Sequence, residues 1–287
     1  MNTISYKTKN ILIDEILKQN LVKQLEKKSF FSKLFSSKEF ADIYFHSGAL
    51  DNDSIENIKN VKLIICNSKA SKKEIIDKTQ VDASIVKVIY PSVDISYEKP
   101  KKIKSRFCLR HDLDDKKKIV FFTAKSFKSS GIKDFFDLMI SLSSNDFYMI
   151  IAGDKTQITS LKFQTSKYNF GDTLLLLEDY ENIDEIFLAS DIFILPTYNK
   201  NFASNILKAM YCKCAVFTTV NNAASELIDV FSCMESPDDR SMQFKVDALL
   251  QNKDDLKLIK KQNRKVAKAY TIEKNLERFN KILNQLS

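Results

Sequence analysis

The residues with the most chemistry to offer lie in one stretch, Pro196 to Ile228, which reads PTYNKNFASNILKAMYCKCAVFTTVNNAASELI. The apolar run Ile192-Phe193-Ile194-Leu195 just before it predicts a buried strand, and a helix is expected to open near Ser204. Ala215 to Thr219 predicts a second strand, followed by another short helix. A helix that starts directly after a loop behind a parallel strand points unpaired backbone N–H groups, and the positive end of its dipole, at whatever lies in front of it. Ser204, Asn205 and Ile206 would present those donors, with Lys200 and Lys208 adding positive charge on either side. This is the chemistry of holding a phosphate or diphosphate, at the place where an α/β sheet binds one.

Other chemistries lack their residues. No carboxylate pair, Ser/His/Asp set or metal-ligand cluster stands out by spacing. Of the two histidines, His46 stands beside Ser47 and Gly48, and His111 lies in a charged stretch where solvation is expected. The five cysteines are odd in number and show no C-x-x-C spacing; several fall in apolar runs. Buried free thiols in a reducing cytoplasm are the expectation, not disulfides or metal ligands.

The elements that must position these groups alternate from about residue 60 onward. Strands are expected at Val61 to Cys66, Ile85 to Tyr90, Ile119 to Thr123, Phe147 to Ala152 and Thr173 to Leu177. Helical spacing covers Ser68 to Thr79, Ile132 to Leu142, Gln157 to Tyr168 and Ile183 to Ser190, with Ser68 or Ser71 as an N-cap. Short apolar strands alternating with helices of about ten residues predict a doubly wound parallel sheet. The basic run Lys99 to Lys104, flanked by Pro91 and Pro100, reads as a linker, and the tail from Asp238 to Leu286 as helices only. Before residue 60, Ile4 to Lys28 has apolar residues close to one helical face, and Phe30 to Phe45 carries five phenylalanines among lysines and serines. That segment is either apolar packing onto a neighbouring domain or a membrane-surface element.

At 287 residues the chain has room for one large or two small domains, and only four glycines and four prolines argue for dense regular structure. No apolar run approaches the ~20 residues of a membrane span, and the start MNTISYKTKN lacks the apolar core of a signal peptide. The net charge of +8 comes almost wholly from lysine, since arginine occurs only at 106, 110, 240, 264 and 278. Lysine without arginine forks or interleaved aromatics argues against base recognition, so no nucleic-acid partner is expected. Solvated helix faces, and after them contact with an anionic membrane surface, account for the charge.

Several separated segments, in order, resemble the retaining glycosyltransferases of the GT-B fold known as the glycosyl transferases group 1, or glycogen-synthase-like, family. Ile64-Ile65-Cys66-Asn67-Ser68 looks like the end of that family's N-terminal domain, and Val86 to Asp94 is similar to its V-x-V-I-x-N-G-V-D. Phe121 to Gly131 occupies the place of F-V-G-R-L-x-x-x-K-G, Ile150 to Gly153 that of its I-x-G turn, and Ala189 to Thr197 that of A-D-V-F-V-L-P-S. Pro196 to Val216 keeps the spacing of P-S-x-x-E-G-F-x-x-x-x-L-E-A-M-A-x-G-x-P-V, with Lys200 and Lys208 at its two glutamates, and Glu226 stands where the family has G-G-x-x-E.

The resemblance implies an α/β, GT-B-like protein: a shortened acceptor-side domain over residues 1–100, and a Rossmann-like nucleotide-sugar domain with C-terminal helices over residues 101–287. It implies a donor site made by Lys125, Lys128, Ser130, Gly153, Phe202, Ala203, Ser204, Asn205, Ile206 and Lys208. Lys125 falls on the arginine of the basic pair that neutralises the diphosphate and Ser130 on its lysine, with Lys128 two residues away. His46 and Lys200 take the catalytic positions, by the acceptor and by the transferred sugar. No metal and no cofactor are implied; a nucleotide diphosphate sugar is the substrate, and a surface glycan or lipid-linked molecule the acceptor. Two readings of Lys200 and Lys208 stay open, a rebuilt and more positive phosphate pocket or surface lysines on a relic site. The matching functions are a hexosyltransferase of polysaccharide biosynthesis, and a non-catalytic binding or scaffolding subunit that pairs with an active glycosyltransferase. Either is expected in the cytoplasm, at the inner face of the membrane.

Overall fold

The computed structural model describes residues 1–25, 39–166, 168 and 170–286. Phe30, Phe31 and Phe35 of the phenylalanine-rich segment, and with them the expectation of a membrane-surface element there, lie outside the described residues. The chain forms two units, one of residues 1–94 with 270–287 and the other of residues 95–269.

The first unit is built on a five-stranded parallel sheet in the order β2-β1-β3-β4-β5. The strands are β1 (Thr3–Tyr6), β2 (Lys23–Gln24), β3 (Ile43–His46), β4 (Leu63–Cys66) and β5 (Val86–Val88). Every residue of β3 and β4 is buried, as a strand covered on both faces requires. The helices between them start on side-chain caps: Asn10 for α1 (Ile11–Lys18), Asp51 for α2 (Asn52–Lys59) and Ser68 for α3 (Lys69–Thr79). Each cap oxygen accepts from the third backbone N–H beyond it, satisfying a donor the helix itself cannot.

Three expectations for this unit are corrected. The helical face predicted over residues 4–28 is divided among β1, α1 and β2, because Asn10 caps a helix that ends at Lys18. The described residues among the first hundred, where the sequence shows two strands, supply five. The final helix, α11 (Ile272–Leu283), belongs to this unit and not with residues 101–269: Leu276 and Phe279 are buried among Ile4, Ile13, Ile16, Ile43 and Phe45. The ring of Phe279, fully buried, lies 5.6 Å from that of Phe45. Burying such a side chain contributes roughly 1.5–3 kcal/mol. Asn275 fixes the helix in place, its amide donating to the Tyr90 carbonyl and to Ser92 Oγ at 2.9 Å each.

The second unit is a six-stranded parallel sheet in the order β11-β10-β9-β6-β7-β8. Its strands are β6 (Lys118–Thr123), β7 (Phe147–Gly153), β8 (Leu174–Glu178), β9 (Ile192–Leu195), β10 (Ala215–Thr219) and β11 (Cys233–Met234). The connecting helices are α5 (Ile132–Ser141), α6 (Lys155–Thr165), α7 (Ile183–Ala189) and α8 (Ser204–Tyr211), with α9 (Met242–Gln251) and α10 (Lys253–Ala267) after the last strand. The run expected to be a linker is the start of α4 (Pro100–Arg110). Proline suits a first helical turn, and Ile103, Phe107 and Cys108 form a buried face behind the lysines.

Asp191, buried at the start of β9, takes Lys104 Nζ from α4 at 2.7 Å and Lys260 Nζ from α10 at 2.6 Å, and accepts from the Ile119 amide at 3.1 Å. Burial works against its charge, but the two ammonium groups win and hold its pKa at about 2. Arg264 of α10 stacks over Tyr97 and donates to the Tyr211 carbonyl. His111 is not freely solvated: its ring packs on Phe107 at 4.5 Å and its Nε2 is buried. All five cysteines are free thiols, and all but Cys233 are fully buried.

Candidate functional site

All strands of the second sheet are parallel, so their carboxyl ends share one edge. From β6 the chain winds outward through β7 and β8, then returns to place β9 on the other side of β6. The register Val120 with Ile192 and Phe121 with Phe193 marks the seam where the winding reverses. Outside the carboxyl ends at such a reversal, an α/β sheet leaves a crevice suited to a ligand.

Two loops flank that seam, residues 124–131 after β6 and residues 196–203 after β9. They are joined to each other. Ser129 O accepts from the Tyr198 amide at 3.1 Å and from Thr197 Oγ1 at 3.3 Å. Asn205 Nδ2 reaches back to the Thr123 carbonyl at 3.2 Å. Gly131, at φ +76°, lies so close to Pro196 that a Cβ there would come within 1.8 Å of the proline carbonyl oxygen. Only glycine has both the left-handed backbone and the missing Cβ that this needs. Gly153, at the end of β7, makes room for the Phe127 ring, which a Cβ would meet at 2.3 Å.

The structure sets Lys125 and Lys128 exposed on the first loop and Lys200 exposed on the second. Among the described residues none of the three has an ion-pair partner. Ser130 is part of a tight turn, its amide donating to Ser126 O and Phe127 O. Phe202 and Ile206 are buried and anchor the second loop and α8 to the core. Ala203 precedes α8 and offers no side-chain cap. Its own amide donates to Asn222 Oδ1, and that of Ile206 turns back to Ala203 O, so among the described residues the amides of Ser204 and Asn205 are the donors of the first turn without a partner. Unpaired N–H groups and the helix dipole favour an anion there.

Lys208 is occupied. One turn into α8, its Nζ lies 3.2 Å from Asp184 Oδ1 on α7, with both side chains about a third exposed. A lysine cannot accept hydrogen bonds, but the carboxylate beside it can. Asp184 has no family signal in the sequence and emerges only from the packing of α7 on α8.

Asn222, after β10, is 1% exposed. Its Nδ2 donates to the carbonyls of Asn199 (2.8 Å) and Asn201 (2.7 Å), and the next residue's amide, Ala223 N, donates to Lys200 O at 3.0 Å. The sequence marks Asn221-Asn222 as a turn and nothing more. His46 belongs to the first unit. It ends β3 opposite Cys66, almost fully buried, with Nδ1 making no hydrogen bond to any described residue. Burial, and after it the nearby charge of Lys7, push its pKa below the ordinary histidine value. No three potential metal ligands gather among the described residues, and none of the described helices is long and apolar enough to cross a membrane.

Comparison with known proteins sets this arrangement in a family. An N,N'-diacetylbacillosaminyl-diphospho-undecaprenol alpha-1,3-N-acetylgalactosaminyltransferase of Campylobacter jejuni is 28% identical over 104 residues, 36% of this chain and 26% of that protein. The chain thus matches about a quarter of the length of that curated relative. Two solved structures share the fold. A glycosyltransferase of Rickettsia africae superposes with a TM-score of 0.73 at 14% identity, over 98% of this chain and 89% of that one. Anabaena HepE, solved in complex with UDP-glucose, superposes with a TM-score of 0.68 at 16% identity, over 85% of this chain and 72% of its own. The sequence model of the Glycosyl transferases group 1 family matches residues 108–266, more than half of the chain and nearly all of the second unit, so the protein belongs to that family.

Proposed function

We propose that the protein transfers a sugar from a nucleotide diphosphate sugar to a surface-glycan or lipid-linked acceptor, working at the inner face of the membrane. The observation that carries this is the pair of joined loops at the winding reversal, which bring three unpaired lysines and the uncapped start of α8 to one edge of the second sheet. In the reaction the bond between the sugar's anomeric carbon and the diphosphate breaks, a bond from that carbon to an acceptor oxygen forms, and the acceptor hydroxyl gives up its proton. Negative charge builds on the departing diphosphate. Lys125 and Lys128 from one side, and Lys200 with the amides of Ser204 and Asn205 from the other, are placed to stabilise it. The protein's own cations supply the charge the leaving group needs. The first unit takes the acceptor, with His46 as the group proposed to receive its proton. UDP-glucose bound to Anabaena HepE, and the diphospho-undecaprenol substrate in the name of the Campylobacter jejuni relative, support the choice of donor and acceptor class.

A thermal-shift panel of UDP- and GDP-sugars tests the reading. A donor that binds the folded state and not the unfolded one raises Tm, and the rise grows with the logarithm of its concentration above Kd. One nucleotide sugar should do so, and Lys125→Ala should abolish the shift. If no nucleotide sugar stabilises the protein and it co-purifies with an active glycosyltransferase, the scaffolding role replaces this one.

A further inference from the structure

The side chain of Asn222 makes four hydrogen bonds, all to backbone. Oδ1 accepts from Ala203 N at 3.2 Å and Ala224 N at 3.0 Å; Nδ2 donates to Asn199 O at 2.8 Å and Asn201 O at 2.7 Å. A primary amide has two donors and an oxygen with two lone pairs, so this one is saturated. Three of the four partners are alternate residues of a single loop, the one leading from β9 into α8. Lys200, between two of them, is held by the neighbouring Ala223 amide. No other side chain of this size reproduces the pattern. Leucine offers neither donor nor acceptor, and aspartate would turn a carboxylate oxygen toward two carbonyls.

The consequence reaches the proposed donor site, on which this inference rests. A loop of polar residues with no secondary structure would ordinarily be ordered by its ligand, at a cost to affinity. Here the ordering is done on folding, by a buried amide from the neighbouring strand's loop. We propose that Asn222 is a positioning residue: it holds the β9–α8 loop so that Lys200 and the free amides of Ser204 and Asn205 face the diphosphate before it arrives. It touches no reacting atom and acts through the loop.

The experiment uses the whole chain with UDP-glucose, UDP-N-acetylglucosamine and GDP-mannose as donors. The wild type is measured first. If it binds none of them, the proposed function falls and this inference with it. If it binds one, Asn222→Ala should weaken that binding about tenfold or more, as expected for misplaced binding groups, in protein that remains folded by circular dichroism. Equal affinity in folded Asn222→Ala overturns the positioning role and leaves the proposed function standing. Asn222→Asp adds a readout that a purely structural role would not move. One oxygen of its carboxyl would keep the amides of Ala203 and Ala224 while the other met the carbonyls of Asn199 and Asn201. Burial and the two carbonyls, set against those two amides, should raise its pKa, and only the protonated acid can donate to a carbonyl. The ratio of its affinity for the bound donor to that of the wild type, measured well below Tm, should therefore rise as pH is lowered from 8 to 6; a constant ratio counts against the role. Should both variants fail to fold, hydrogen exchange in the wild type still decides. The Ala203 amide should be protected like a core amide, and exchange at the rate of an open loop overturns the inference.

Discussion

Lys208 and Asp184 form an ion pair across α7 and α8, Nζ to Oδ1 3.2 Å, where the family pattern has a glutamate in place of the lysine. Pairs this exposed contribute little, about 0.2–1 kcal/mol. Their value as a probe is in the charge order. Lys208→Glu should lower Tm slightly by setting two carboxylates against each other, and adding Asp184→Lys should recover it. A double-mutant cycle read by chemical denaturation should give a coupling of about 0.5–1 kcal/mol. A coupling of zero would mean that the two side chains do not meet in solution.

Gly131 is where the two loops touch. Gly131→Ala must strain a left-handed backbone and displace the Pro196 carbonyl, a combination expected to cost about 1–3 kcal/mol. Because the displaced atoms belong to the loops that carry Lys125 and Lys200, nucleotide-sugar affinity should fall as well. A variant that loses Tm but keeps full affinity would show that the loop junction does not shape the site.

The Asp191 clamp makes an acid-stability prediction. Its folded pKa, about 2, lies below the ordinary aspartate value of 3.8, so folding favours the ionised form. The contribution is therefore complete above pH 4 and lost as pH falls toward 2. Asp191→Asn should flatten the stability–pH curve in that window. At neutral pH the same change strands Lys104 and Lys260 with one neutral amide, and breaking a buried pair of this kind costs about 3–5 kcal/mol. Denaturant titrations between pH 2 and 7 check both parts.

His46 behaves in the opposite part of the scale. Its pKa is lowered by burial, so folding favours the neutral imidazole. Stability from this source is present above the unfolded value of about 6.5 and declines as pH drops below it. His46→Asn should remove that slope. If His46 serves the acceptor, the variant should also lower kcat about 100-fold or more while leaving donor affinity unchanged, as measured by isothermal titration.

How much of this could be read in the sequence depends on whether a feature is local. Ile192 to Leu195 and Ala215 to Thr219 are strands with the expected bounds, because continuous apolar runs are buried on both faces. Ser68 caps α3 as its position suggests. β2, in contrast, is Lys23–Gln24 with both residues exposed, and nothing in its composition marks a strand; pairing with β1 alone creates it. α4 is masked by charge, since its five basic residues outnumber the three residues it buries. At the site, the loops and the helix start were visible as strand–loop–helix patterns, with Lys125, Lys128 and Lys200 on them. Asp184 and Asn222 were not, because their partners lie 24 and 19–23 residues away and distance in the chain says nothing of distance in space.

The placement of α11 has a consequence for synthesis. The sheet of the first unit is encoded before residue 95, yet the side chains that complete its core, Leu276 and Phe279, emerge from the ribosome close to two hundred residues later. Every residue of the second unit is made in between. The domain begun first is thus the one finished last: an open apolar face must wait for its cover while the second unit condenses, and contacts so remote in sequence are slow to form. A chain cut short of residue 272 would carry a finished second unit and a first unit still lacking its last helix, the state in which chaperone capture and aggregation compete.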